Sequence, residues 1–288
     1  MSSNGNESRS YASSLADLQI DTRVKVSGWV EDIRHVGSIF FVTVRDVTGL
    51  AQIVIRKENA ALFSMVKEIP RQSIVIVSGT LRKSRSKDVP FEIEAEEVQV
   101  VSPANQSLPV DPTGRVPSSL DSRLDSRALD LRNQTVSAAF KIRHTSLQAI
   151  RRSLTTQGFI EVNTSKIIGQ ATEGGANLFA VNYFDSKAYL AQSPQLYKEQ
   201  LTLSLERVFE IASFYRAEKS HTTRHLNEFN MVDIEAAFYD EEEVMQICEE
   251  MVAESNAAVK RENSKELDIL KHEIPVAKIP FPRITYET

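Results

Sequence analysis

The residues best suited to chemistry lie between positions 172 and 238. Residues 207–218 alternate as a strand does, with Phe209, Ile211, Ser213, Tyr215 and Ala217 on one face and Glu210, Arg216 and Glu218 on the other. A polar loop over 219–224 leads to a return strand, 227–238, that sets Phe229, Asp233 and Glu235 on a common face. Such a hairpin gathers a guanidinium, several carboxylates and an aromatic ring on one sheet surface. Arg216 can fork onto a phosphate or a carboxylate, and Phe229 can stack on a planar base. A structural ion-pair network would leave the same pattern, and the residue types alone keep both readings open. Upstream, Gln192-Ser-Pro-Gln-Leu-Tyr-Lys198 crowds amides, a hydroxyl and an amine into seven positions after an apolar strand at 189–191. Thr172-Glu-Gly-Gly175 is a glycine-bearing loop with one carboxylate, a weak signal by itself.

The elements that must carry these residues divide in two. Between positions 23 and 101 the sequence reads as strands at 23–32, 39–46, 50–55, 73–81 and 91–101. Thr48-Gly49 makes one turn, and a helix fits 60–68, closed by Pro70. Three strands, a helix and two strands is the order of an OB-fold, a small barrel that often binds oligonucleotides. Phe40, Val42 and Val44 share the core face of the second strand, so Phe41, Thr43 and Arg45 point outward. An outer aromatic beside an arginine suits base stacking, although packing of Phe41 under a loop is equally open. The loop after the fourth strand carries Arg82, Lys83, Arg85 and Lys87, either a nucleic-acid rim or simply a solvated turn.

Residues 102–117 hold four prolines and mark a domain boundary. Leu-Asp-Ser-Arg then occurs twice over 120–127, too briefly for a repeat architecture. Residues 136–157 read as an amphipathic helix with Phe140, Leu147, Ile150 and Leu154 on its apolar stripe and Gly158 as C-terminal cap. The expected layout is a disordered tail at 1–19, an OB domain at 20–101, a linker at 102–135 and a second domain at 136–288.

Composition fits this layout. The chain has 288 residues, 41% hydrophobic and 25% charged, enough for two real cores. No apolar run is long enough to span a bilayer, and residues 1–14 lack a signal-peptide core. Cys248 is the single cysteine, which leaves no internal disulfide or cysteine metal cluster and makes the cytoplasm the default location. It also lies in an acidic stretch that disfavours a thiolate nucleophile. A net charge of −5 argues against indiscriminate nucleic-acid binding but leaves room for a local basic contact.

Phe214-Tyr-Arg-Ala-Glu218 followed by Arg224-His-Leu-Asn-Glu-Phe229 resembles motif 2 of the class II aminoacyl-tRNA synthetases. Gly158-Phe-Ile-Glu-Val-Asn-Thr164 resembles their motif 1, and Gln192 to Lys198 resembles the amino-acid-binding segment of the aspartyl enzymes of archaeal and eukaryotic type. Gly28-Trp29-Val30, Arg34, Phe41, Arg45-Asp46 and Gln52 are similar to the anticodon-binding OB domain of the aspartyl, asparaginyl and lysyl group. The resemblance covers nearly everything after the tail. It implies an α+β chain: a five-stranded OB-fold barrel followed by the first part of a class II antiparallel-sheet catalytic domain.

The resemblance implies activation of L-aspartate by ATP with Mg2+, then transfer to the 3′ end of tRNA(Asp), with tRNA(Asn) left open and a homodimer as the assembly. Aspartate would be held by Glu173, Ser193, Gln195, Lys198, Arg216 and Asp233. ATP would meet Arg216, Glu218, Arg224, His225, Leu226 and Phe229, with Phe229 beneath the adenine. The anticodon would meet Arg34, Phe41 and Gln52. Lys198 favours a carboxylate side chain over an amide, because a buried unpaired ammonium penalises asparagine. Two departures stand out. Ser165 occupies a position where motif 1 has proline, and nothing after motif 2 resembles motif 3. The expected Mg2+ ligands then lie beyond Thr288, and this chain alone is expected not to activate aspartate. A binding module with a vestigial catalytic half, or a relative in the asparagine-forming branch, are the competing readings.

Overall fold

The computed structural model describes residues 8–84, 86, 89–104, 108–170, 178–219, 222 and 225–285. The chain forms two units, Met1–Asn133 and Gln134–Thr288.

In the first unit, β1 (Arg23–Val36), β2 (Ile39–Arg45) and β3 (Leu50–Arg56) run as an antiparallel meander. Then α1 (Ala60–Lys67) leads to β4 (Ile74–Lys83) and β5 (Phe91–Ser102). The strands close into a barrel in the order β1-β2-β3-β5-β4, as the OB-like order predicts, and the β3–β5 seam is its parallel pairing. Alternation fills the inside: Val24, Val26, Val30, Phe40, Val42, Val44, Ile53 and Ile93 are all buried in one cluster. Gly28 is required by crowding, since a Cβ there would collide with the Arg45 carbonyl on the neighbouring strand. The turn at Thr48-Gly49 is held by Asp46, whose carboxylate accepts from the Thr48 N–H (2.7 Å), the Thr48 hydroxyl (2.7 Å) and the Gly49 N–H (3.0 Å).

The tail departs from expectation. Ala12–Asp17 forms a 3-10 helix, and Leu15 is buried in the barrel core. The Ala12 N–H donates to Asp46 at 2.7 Å, and the Ser10 N–H to the Lys25 carbonyl at 2.7 Å. Leu15, with Ala12 and Leu18 packed beside it, and the bonds from the N–H groups of Ser10, Ala12 and Ser13 order a segment whose polar composition suggests none. The linker differs too, carrying α2 (Leu120–Asp125) and α3 (Arg127–Asp130). Its repeated Leu-Asp-Ser-Arg has a physical purpose: Arg123 (2.9 Å) and Arg127 (2.6 Å) both clamp the buried Asp130.

The second unit opens with α4 (Gln134–Thr156). Gly158 ends it in a left-handed conformation (φ +83°), and the Phe159 N–H reaches back to the Leu154 carbonyl at 3.0 Å. Then come β6 (Ile160–Glu161), β7 (Ile167–Ile168), β8 (Ala180–Tyr183), β9 (Ser186–Leu190), α5 (Gln195–Leu205), β10 (Arg207–Tyr215), β11 (Glu228–Ala236), α6 (Glu241–Glu262) and α7 (Ser264–Leu270). They build two three-stranded sheets, β11-β10-β6 and β7-β9-β8. One face of the first sheet packs on the helices through Leu154, Phe159, Phe209 and Ile247. Phe140 is exposed, contrary to the expected stripe: α4 instead buries Ala138, Thr145 and Ala149. Small side chains there let α6 approach closely, with the Ser146 and Ser255 hydroxyls 2.7 Å apart.

Candidate functional site

The face of the β10–β11 hairpin turned away from those helices carries the chemistry. Register sets Glu210 opposite Asp233, Val208 opposite Glu235 and Phe214 opposite Phe229. Above it stands the first turn of α5. Lys198 points into this face and is 1% exposed. Its ammonium is ion-paired with Asp233, donates to the Ile234 carbonyl at 3.0 Å, and lies 3.3 Å from Glu235. Three donors meet three acceptors. The Gln195 amide bridges Glu199 (2.9 Å) and Glu235 (3.0 Å). Ser193 is buried beside them, its hydroxyl accepting weakly from the Gln195 N–H at 3.4 Å. Of the residues expected to contact an amino acid, Ser193, Gln195, Lys198 and Asp233 thus converge, while Glu173 lies outside the described residues.

Gln192 carries a signal that sequence reading passed over. It is fully buried, and neither end of its carboxamide has a hydrogen-bond partner among the described residues. Buried polar groups are nearly always paired, so an orphan beside a site is informative. Only its crowding among amides and hydroxyls in the 192–198 stretch hinted at it.

β10 ends at Tyr215, so Arg216 and Glu218 begin the loop rather than continue a strand. The Arg216 N–H nonetheless bonds the Asn227 carbonyl at 2.9 Å, and its guanidinium lies 5.6 Å from the Phe229 ring centroid. The Asn227 carboxamide, turned nitrogen-inward, donates to the carbonyls of Arg216 (3.0 Å) and Glu218 (2.8 Å) and pins the neck of the loop. His225 and Leu226 are exposed on that loop, with His225 Nδ1 2.6 Å from the Thr222 hydroxyl. Arg224 lies outside the described residues. A guanidinium beside a half-buried ring can hold a phosphate and stack a flat ring at once. Among the described residues no group of three His, Cys, Asp or Glu side chains is arranged to hold a metal ion.

On the barrel, Arg34 and Phe41 are direct cross-strand partners, which brings a cation and a half-buried ring together on the outer surface. Gln52 sits two pairs along, opposite Thr43, but is buried, and its amide donates to Glu92 at 3.2 Å. Arg82, expected in the basic loop, lies in β4 and is partnered by Asp21 and Glu94, while Arg85 and Lys87 lie outside the described residues. No helix among the described residues is long and apolar enough to cross a membrane.

Known proteins are similar to this chain along most of its length. Residues 24–101 match the OB-fold nucleic acid binding domain. Aspartate–tRNA(Asp) ligase of Thermococcus kodakarensis is 44% identical over 281 residues, covering 96% of this chain and 64% of that protein. Aspartate–tRNA(Asp/Asn) ligase of Methanopyrus kandleri is also 44% identical, covering 96% and 65%. The crystal structure of asparaginyl-tRNA synthetase from Pyrococcus horikoshii complexed with asparaginyl-adenylate has a TM-score of 0.91 at 32% identity, covering 97% of this chain and 65% of that one. The chain therefore spans just under two thirds of the length of these relatives. Residues 119–288, more than half of the chain, match the family described as tRNA synthetases class II (D, K and N), and the chain belongs to that family.

Proposed function

We propose that this chain serves the ATP-dependent activation of L-aspartate and its transfer to tRNA, with the OB domain reading the anticodon. The observation that carries the reading is Lys198: a buried ammonium set among Asp233, Glu235 and Gln195 at the amino-acid end of the site. A substrate carboxylate would reach it by taking the place of its most distant partner, Glu235 at 3.3 Å. Asparagine offers no charge for that exchange, so the buried cation favours aspartate by the desolvation it would otherwise suffer. This weighs against an asparaginyl reading, despite the asparaginyl structure named above.

Arg216 would hold the α-phosphate and the substrate α-carboxylate together, so that a carboxylate oxygen attacks phosphorus and pyrophosphate leaves. Phe229 would stack beneath the adenine and Glu218 would accept from its amino group. Arg224, His225 and Leu226 would line the outer phosphates, and Glu173 would close over the amino acid. Bound Mg2+ would supply counter-charge to the phosphates beside Arg216 and Arg224; among the described residues no group of three His, Cys, Asp or Glu side chains is arranged to hold it. Arg34, Phe41 and Gln52 would meet the anticodon of tRNA(Asp), with tRNA(Asn) a second candidate. Exposed Ile160 supports a homodimer through the 158–164 segment. The cytoplasm is the proposed location.

Calorimetric titration with sulfamoyl analogues of the two adenylates tests the reading. Tighter binding of the aspartyl analogue by tenfold or more is expected; equal binding, or preference for the asparaginyl analogue, refutes aspartate as substrate.

A further inference from the structure

Residues 164–166 form a strap between the two sheets of the second unit. β6 belongs with β10 and β11, whereas β7 belongs with β9 and β8. The last backbone bond to β10 is from the Val162 N–H to the Phe209 carbonyl at 2.8 Å. Beyond it a single side chain takes over. Glu210, fully buried, accepts from the Thr164 N–H (2.9 Å), the Thr164 hydroxyl (2.8 Å) and the Lys166 ammonium (2.6 Å). Lys166 closes the ring by donating to the Thr164 carbonyl at 2.9 Å.

The strap then reaches both ends of the site through backbone alone. The Lys166 carbonyl accepts from the Ala191 N–H at 2.9 Å, and the Ala191 carbonyl accepts from the Tyr215 N–H at 3.0 Å. Ala191 is the residue before the 192–198 segment, and Tyr215 is the residue before Arg216. We propose that Glu210 is a positioning residue: by fixing residues 164–166 it sets the start of the Gln192–Lys198 segment against Arg216. It touches neither substrate, and its importance for activation rests on the function proposed above.

The geometry favours this over simple stabilisation. A buried carboxylate needs partners, but any cation nearby would serve. Here every partner among the described residues comes from one three-residue strap, and that strap bonds to Ala191 and, through it, to Tyr215. Losing Glu210 would therefore loosen a specific junction.

Hydrogen exchange on the 288-residue chain reads this directly. Glu210→Gln keeps the shape but loses the charge facing Lys166 and one acceptor. It is expected to speed exchange at Ala191 and Tyr215 at least tenfold while leaving Ile53, in the barrel, unchanged. Thr164→Val removes one bond from the outer end, and is expected to speed the same two amides at least threefold, so the test survives if Glu210→Gln does not fold. Ile247→Ala, on the opposite face of the sheet, is the control at comparable melting loss and is expected to leave the pair within twofold. The proposal fails if the Glu210 and Thr164 variants both stay within twofold of wild type, or if the control speeds the pair equally. No ligand enters these measurements. Failure of the wild-type chain to bind the aspartyl analogue would count against the proposed substrate and leave the positioning role intact.

Discussion

Lys198 shows how far a residue's type falls short of its state. Sequence marks a lysine seven positions along a polar stretch; folding buries it and gives each of its three protons an acceptor. The site is thus balanced before substrate arrives. Lys198→Met should leave Asp233 and Glu235 facing one another with no cation between them. Removing one partner of a buried pair costs about 3 kcal/mol or more. The measurable result is a lower urea midpoint with an unchanged slope, largely restored in Lys198→Met/Asp233→Asn. A midpoint within error of wild type would mean the ion pair is too hydrated to matter. Gln192 is the opposite case, a neutral group without partners among the described residues, and only its burial reveals it.

At the scale of elements, the barrel was legible because its strands lie between turns that can be named and β2 alternates cleanly, although β3 is buried along its whole middle. Phe40, Val42 and Val44 point in as their spacing demands, and Asp46-Val-Thr48-Gly49 closes the turn as its side chains allow. The hairpin face was legible for the same reason, down to Glu210 and Asp233 on a common side. What escaped reading depends on long-range packing. Phe140 lies outside because α4 needs small residues against α6, and periodicity cannot weigh size against apolarity. Leu15 lies inside because a single knob fits the barrel, without any period to announce it. Leu15→Ala is accordingly expected to destabilise the first unit by about 2–4 kcal/mol, as buried leucines do elsewhere. Thermal unfolding of residues 1–133 followed by circular dichroism checks this, and a loss below about 0.5 kcal/mol would mean the helix merely rests on the surface.

For the whole molecule, acid is the informative stress. In the first unit, burial alone would push the Asp46 carboxyl up. The Thr48 hydroxyl and the N–H groups of Ala12, Thr48 and Gly49 outweigh burial and hold it below its ordinary value. In the second unit, burial likewise opposes ionisation of Glu266, and Lys141 (3.1 Å) and Asn263 reverse that effect. A carboxyl whose pKa is lowered by folding adds stability above its unfolded value, and that stability is lost as pH falls through the folded value. Both units should therefore hold their melting temperatures near neutrality and lose them below roughly pH 4, where free carboxyls titrate. Asp46→Asn should flatten the curve for the first unit, and Glu266→Gln for the second. Scanning calorimetry between pH 7 and 2.5 distinguishes the two, and parallel acid slopes for wild type and variants would exclude these groups as the cause.

The barrel seam has one more implication, for how this unit comes into being. β1, β2 and β3 can pair as soon as each emerges, since neighbours in the ring are neighbours in the chain. The β3–β5 clasp joins residues 40 positions apart, Gln52 to Glu92 among them. Closing so wide a loop costs entropy that no local contact repays in advance, so the clasp belongs late in folding. Until it shuts, β3 offers an open, apolar edge to any passing strand. Once this clasp and the still wider β1–β4 pairing are both shut, the ring has no edge from which to fray.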